Sequence, residues 1–335
     1  MGFYAFLSLH CYNGINRQAI CRKGKYIMLH EVKFLSFNER DQVYGWIYVP
    51  ACRPEGIIQL VHGFGEHSRR YLHMITSFME AGYIVAADDH VGHGKTALEN
   101  DTWGDWGTKG PETMMEDEKK LHDLTVEKYP DLPYFMFGHS MGSFITRQYM
   151  AKYGDDLSGA VICGTTGVWP NLDEGIAAVQ KLVDEGKGAE SDPSLGGMLM
   201  GWMFGRCKEG VKLGNEWICD DPYVQNDHAQ DPFDAFTKPT SNLAWLYFMQ
   251  MMKSITGKEW AAKVPAKLPV YNIAGDQDPV GQYGTGVYQT ANWLADNGNE
   301  VTTVLYTGYR HEIHNYADIK EDVEEGIIEF IDYCH

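Results

Sequence analysis

Gly138-His139-Ser140-Met141-Gly142 sets a serine between two glycines in a Gly-x-Ser-x-Gly pattern. It follows a short apolar run at 134–137 and precedes a segment whose apolar residues Phe144, Ile145, Tyr149 and Met150 recur at helical spacing. A strand–turn–helix of this kind is so tight that a Cβ two residues either side of the serine would meet backbone, which glycine avoids. The turn presents the Ser140 hydroxyl beside a helix N-terminus, whose partial positive charge favours developing negative charge. These are the requirements of nucleophilic acyl transfer, with Ser140 as the nucleophile.

Acyl transfer also needs a base, a carboxylate that orients the base, and donors for the oxyanion. His62-Gly63-Phe64-Gly65 directly follows the apolar run 57–61, and a glycine-rich loop there lets backbone approach a substrate carbonyl. The expected donors are the backbone N–H groups of Phe64 and of Met141, the residue after the nucleophile. Gly275-Asp276-Gln277-Asp278-Pro279 follows the run 270–274, and Gly308-Tyr309-Arg310-His311-Glu312-Ile313-His314 follows the run 301–306. Serine, then aspartate, then histidine is one of the chain orders in which such triads occur. Asp278 lies four residues past Ala274, far enough round its loop to reach a histidine. Asp276 sits at the turn, where capping backbone is the simpler role, so Asp278 is preferred. His311 lies nearer its strand end than His314 and is preferred as the base. His314 is expected to be partly buried and bonded to the start of the last helix.

The remaining histidines near these motifs have plainer readings. His62 and His139 are expected to make structural hydrogen bonds around the two glycine turns. His90 and His93, in Asp89-His90-Val91-Gly92-His93-Gly94, resemble metal ligands, but no carboxylate or cysteine stands at zinc-like spacing within the serine site. No metal and no cofactor are expected there. Glu66 and His67 suit either a pocket mouth or a solvated loop.

These groups must be held by a scaffold, and its periodicity is readable. Residues 32–37 and 43–49 alternate apolar and polar, as a hairpin or meander does. Apolar runs at 57–61, 84–87, 134–137, 160–163, 270–274 and 301–306 read as buried strands, separated by helical patterns near 69–81, 112–129, 141–153, 285–297 and 318–333. Strands alternating with helices imply an α/β fold, with a mostly parallel sheet of about eight strands and helices on both faces. Only the interval after the sixth strand breaks the rhythm. It is rich in Met198, Met200, Trp202, Met203, Phe204, Trp245, Leu246, Phe248, Met249, Met251 and Met252, and so long a connection needs structure of its own. The expected organisation is an extension at 1–27, a core at 28–165 and 263–335, and a helical cap at 166–262.

Composition excludes several classes. The chain of 335 residues has 28 basic and 46 acidic residues, a net charge of −18, which repels nucleic acid and anionic membranes. No apolar run approaches the roughly 20 residues that span a bilayer, so stable membrane insertion is not expected. The seven cysteines (Cys11, Cys21, Cys52, Cys163, Cys207, Cys219, Cys334) form no Cys-x-x-Cys pair. A reducing cytoplasm is the expectation, with no signal peptide.

Five stretches carry a resemblance: 61–71 (Val-His-Gly-Phe-Gly-Glu-His-Ser-Arg-Arg-Tyr), 89–95, 137–143, 274–278 and 310–312. In these the chain resembles the monoacylglycerol lipase and lysophospholipase-like branch of the α/β-hydrolases, often grouped with the serine aminopeptidases. The resemblance implies an eight-stranded core, a mobile helical cap, no cofactor, and Ser140, Asp278 and His311 as the triad. The apolar cap adds a lean towards a lipophilic ester as the small-molecule substrate. The rivals are a small-ester carboxylesterase and a peptidase that holds a substrate ammonium on a cap carboxylate such as Asp173, Glu174, Asp184 or Glu185. A binding protein on the same fold is disfavoured, because all three triad positions are filled.

Overall fold

Eight short, mostly apolar segments pair into one sheet. They are β1 (Leu29–Leu35), β2 (Gln42–Tyr48), β3 (Gly56–Val61), β4 (Tyr83–Asp89), β5 (Tyr134–His139), β6 (Gly159–Cys163), β7 (Val270–Gly275) and β8 (Val301–Tyr306). This computed structural model describes residues 28–207, 212–236 and 238–335, so the expected extension at 1–27 lies outside the described residues. The spatial order is β1-β2-β4-β3-β5-β6-β7-β8. β2 runs antiparallel to both β1 and β4, and the other pairings are parallel. β3 to β7 are buried along their whole length, as parallel strands covered on both faces must be. The edge strand β1 alternates exposed and half-buried residues. It starts at Leu29, three residues before the expected point, because Leu29 pairs with Tyr48 at the far end of β2.

The helices are α1 (Leu72–Glu80), α2 (Gly94–Asn100), α3 (Thr113–Lys128), α4 (Met141–Tyr153), α5 (Leu172–Leu182), α6 (Ser194–Met200), α7 (Pro222–Gln230), α8 (Asn242–Ser254), α9 (Lys258–Ala261), α10 (Thr285–Asn297) and α11 (Lys320–Tyr333). On one face of the sheet, Met74, Ile75 and Phe78 of α1 pack with Val323, Ile327 and Ile331 of α11. On the other face, Leu121 of α3, Phe144 and Ile145 of α4 and Leu294 of α10 pack in one continuous cluster. That cluster also takes in α8, which is apolar nearly all round and caps its own start with Ser241. Between β6 and β7 the described residues contain α5 to α9 and no strand. Among the large apolar residues of this interval, Met203, Trp245, Phe248, Met249, Met251 and Met252 face inward, whereas Met198 and Trp202 stay exposed.

Register places the functional loops side by side. Val61 pairs with Gly138 and His139 with Cys163, so β3, β5 and β6 end at one level. Gly275 pairs with Tyr306, which brings the loops after β7 and β8 together. All five loops leave the carboxyl ends of parallel strands, where open α/β sheets bind their ligands.

Candidate active site

Every residue from 134 to 150 is buried except Ser140, which keeps solvent access. Its backbone is the reason. Ser140 sits at φ 54° and ψ −122°, a strained region that turns the side chain outward between β5 and α4. The turn leaves no room at Gly142, where a Cβ would collide with the carbonyl oxygen of Val61 on β3. Ser140 donates its own N–H to the Cys163 carbonyl at 2.9 Å, which ties the turn to the end of β6.

The loop after β8 brings His311 to the same place. Its ring packs on Gly164, where a Cβ would come within 3.0 Å of Cε1, and lies 4.6 Å from the ring of His139. Nδ1 of His311 is 2.9 Å from Oδ1 of Asp278, with the N–H not lined up as a formed hydrogen bond. Asp278 is fully buried, and its Oδ1 also accepts from the Val280 N–H at 2.8 Å. Burial alone would lower the imidazole's proton affinity, but the facing Asp278 carboxylate outweighs it and raises His311 above its ordinary value. Nε2 of His311 is buried with no hydrogen-bond partner among the described residues. Asp276 has a different place: its Oδ1 accepts from the Gly308 N–H at 2.8 Å and joins the loops after β7 and β8. His314 is fully buried in a 3₁₀ turn, stacked 4.8 Å from Tyr71, and neither ring nitrogen is bonded. That differs from the expected partly buried residue at the start of the last helix, because Ile313–Asn315 turns inward before α11 begins.

The His62-Gly63-Phe64-Gly65 loop borders Ser140 directly, since a Cβ on Gly63 would lie 3.0 Å from Ser140 Cβ. Among the described residues neither the Phe64 N–H nor the Met141 N–H has an acceptor. His62 spans its own turn, with Nδ1 2.8 Å from the Gly63 carbonyl and Nε2 accepting from the His90 N–H at 3.0 Å. Nδ1 of His139 lies 2.7 Å from the Tyr71 hydroxyl oxygen and donates to it.

The loop is held from below by Glu66. One oxygen of this buried carboxylate accepts from the Gly63 N–H and the Tyr71 hydroxyl, each at 2.6 Å. The other accepts from Arg70 at 2.9 Å. Arg70 also grips Glu312, the neighbour of His311, through two bonds of 2.7 and 3.0 Å. Burial would raise both carboxyls, but His139 and Arg70 hold Glu66 well below the usual carboxylate range, and Arg70 does the same for Glu312. One buried ion network therefore joins the loop after β3 to the loop after β8.

Residues 52–318 match the family described as Serine aminopeptidase, S33. The chain belongs to that family. A monoacylglycerol lipase from Mycolicibacterium smegmatis is 27% identical over 291 residues, covering 84% of this chain and 91% of that protein. The crystal structure of a highly thermostable carboxyl esterase from Bacillus coagulans, in complex with glycerol, is 57% identical with a TM-score of 0.90, covering 92% of this chain and 99% of that one. A lipase in an open form is 32% identical with a TM-score of 0.84, covering 91% and 99%. The expected α/β-hydrolase fold and the likeness to the monoacylglycerol lipase-like branch are both borne out by these matches.

In this S33 chain a cavity of about 590 Å³ opens against Phe64, on the loop after β3. Its walls include Phe64, Met200, Phe204, Trp217, Phe236 and Trp245. Ser140 and His311 are not among its walls, but Phe64 belongs to the loop bordering Ser140, and Trp217 packs its ring 5.0 Å from that of His311. Phe64 also packs on Trp245 of α8 at 5.2 Å, which links the loop to the insertion. None of Asp173, Glu174, Asp184 and Glu185 faces this cavity. All four are exposed, and Asp173 and Glu185 pair with Lys253 and Lys187.

Sequence reasoning missed the network of Glu66, Arg70 and Glu312. A signal existed in the four-residue spacing of Glu66 and Arg70 and in the acid directly after His311. Trp217 and Phe236 carried no such signal, since nothing local says which aromatics of a long insertion face the site.

Proposed function

We propose that this chain, an ester-hydrolysing serine hydrolase, cleaves monoacylglycerols or similar lipophilic monoesters through Ser140, His311 and Asp278. The observation that carries the substrate class is the largely apolar cavity of about 590 Å³, walled by Phe64, Trp217 and Trp245, whose Phe64 wall belongs to the loop that borders Ser140. A cavity of this size and lining suits an acyl chain. The relatives named for monoacylglycerol lipase and carboxyl esterase activity support the same class.

The reaction runs in two steps. His311, oriented by Asp278, takes the Ser140 proton as the hydroxyl oxygen attacks the ester carbonyl. The Phe64 and Met141 N–H groups, which have no acceptor among the described residues, receive the oxyanion, and each such donor is worth about 3 kcal/mol in the transition state. His311 then gives its proton to the leaving alcohol. Water, activated by the same ring, attacks the acyl-serine, and the acid departs. Glu66 holds the Gly63 amide and thereby the oxyanion loop in place without touching the substrate.

In this reading residues 28–165 and 263–335 form the catalytic core and 166–262 a helical cap. The substrate is a small molecule, and the net charge of −18 disfavours nucleic acid as a partner. No helix among the described residues is long and apolar enough to cross a membrane. The free thiols of Cys163, Cys207, Cys219 and Cys334 suit a reducing cytoplasm.

Hydrolysis of p-nitrophenyl esters from acetate to palmitate, with an aminoacyl anilide alongside, tests the reading. A rate maximum at medium or long chains supports it. Preference for acetate makes the protein a small-ester carboxylesterase, and preference for the anilide makes it a peptidase.

A further inference from the structure

Two aspartates end β4, and strand alternation turns them to opposite faces of the sheet. Asp89 is fully partnered: it accepts from Ser68 N–H at 3.0 Å, Ser68 Oγ at 2.7 Å, Arg69 at 2.7 Å and Lys95 N–H at 2.7 Å. Asp88 is the reverse. It is fully buried, and neither of its carboxylate oxygens has a hydrogen-bond partner among the described residues. It faces His90 and, from α3, Glu118, which are 1% and 0% exposed. Nδ1 of His90 lies 3.3 Å from Asp88 Oδ1 and 3.3 Å from Glu118 Oε1, and neither His90 Nδ1 nor Glu118 Oε1 is bonded.

The far side of each group fixes what it shows the others. Nε2 of His90 lies 3.1 Å from the His62 carbonyl. A carbonyl only accepts, so Nε2 carries the hydrogen, and in the neutral ring Nδ1 offers a lone pair. Oε2 of Glu118 accepts from the Gln59 amide, whose oxygen accepts in turn from the Tyr134 hydroxyl. One lone pair and two carboxyl groups therefore converge in the interior, and burial beside Asp88 holds the Glu118 carboxyl well above the usual carboxylate range, so a proton or a cation must sit between them.

We propose that Asp88, His90 and Glu118 hold a zinc ion. A tetrahedral ion about 2.0–2.1 Å from its ligands sets them about 3.3–3.4 Å apart, which matches both His90 distances. The three ligand atoms lie within 4.8 Å of one another. One imidazole with two carboxylates is a set that zinc accepts. The outer contacts are those a ligating histidine makes, since His90 gives its second N–H to a backbone carbonyl. This site is separate from the serine chemistry, and all three of its ligands are buried from solvent. Its effect is on the scaffold: it clamps β4 to α3, and His90 in turn stacks on His62 at 3.8 Å and holds its carbonyl, at the root of the loop that bears Phe64.

The test is the metal content of the full-length protein, grown with zinc and purified without added metal or chelator, together with thermal melting. The expected result is about one zinc per chain, with melting lowered by a strong chelator and restored by zinc chloride. Glu118→Gln keeps the shape and the Gln59 contact but removes a charged ligand, so it should lose the metal and melt lower than the wild type. Asp88→Asn should do the same. The rival arrangement is a proton shared among the three groups. It predicts a metal-free protein indifferent to zinc and chelator, and a Glu118→Gln variant that melts at or above the wild-type temperature. Either of those results overturns the proposal, as does zinc retained in full by both variants.

Discussion

At the scale of single residues, the proposed mechanism makes the protonation of His311 govern turnover. The ring must be neutral to accept the Ser140 proton. Burial pushes its affinity for a proton down, and the Asp278 carboxylate lifts it to a net rise. kcat/KM should therefore climb with pH through a midpoint on the alkaline side of a free histidine. Asp278→Asn removes the charge, so that midpoint should move towards acid while the plateau falls by about 10⁴. A pH–rate profile of both proteins checks this. An unchanged midpoint would mean that Asp278 does not face the base in solution.

Glu66 makes a second residue-scale case. Replacing it with glutamine leaves the Arg70 guanidinium with one carboxylate partner where it had two. Breaking a buried ion network of this kind costs about 3 kcal/mol, measurable by urea denaturation, and the loosened Gly63 amide should lower kcat more than it raises KM. The placement of Ser140, His311 and Asp278 on neighbouring loops was legible in the sequence because each stands in a short motif on a strand end. Glu66 was not, since a polar residue in a glycine loop looks the same whether it is solvated or clasped by a distant arginine. The clasp depends on Glu312, 246 positions later in the chain by the difference of the two residue numbers.

At the scale of elements, the turn between β5 and α4 carries backbone strain at Ser140. Ser140 has positive φ and a ψ of −122°, a conformation that costs a non-glycine residue about 1–3 kcal/mol. Ser140→Gly should therefore raise the melting temperature while removing activity. A variant that melts lower would show that the turn is held by contacts of the serine side chain. The eight strands were readable because each is a short apolar run or an alternating one bounded by polar turns. The helices on the sheet were readable because one stripe of each is apolar. The insertion was not resolved in advance, for two physical reasons. α8 is buried on nearly every side and has lost its stripe, and α6 and α7 bury only two residues and one, so neither pattern marks a face. α2 escaped notice because it is short and starts at a glycine.

At the scale of the whole molecule, sheet and insertion share one apolar cluster that runs from α3 and α4 through α8. The cavity lies at the edge of this cluster, against Phe64 and Trp245. Gly197, on α6, lines it, and a Cβ there would meet nothing within 4 Å. Gly197→Phe should fill part of the space without disturbing the fold. Turnover of long-chain esters should fall by about tenfold or more, since a lost methylene contact alone is worth 10-fold upwards, while acetate turnover should stay near wild type. Equal losses for both would place the acyl chain elsewhere.

The central claim is that Ser140 forms the acyl-enzyme. It is tested most directly by labelling the protein with a fluorophosphonate bearing an alkyl chain and locating the adduct by peptide mass spectrometry. The account predicts one adduct, on Ser140 in the peptide containing Gly138-His139-Ser140-Met141-Gly142, absent from Ser140→Ala and lost along with esterase activity. An adduct on another residue, or labelling and turnover that persist in Ser140→Ala, would contradict it.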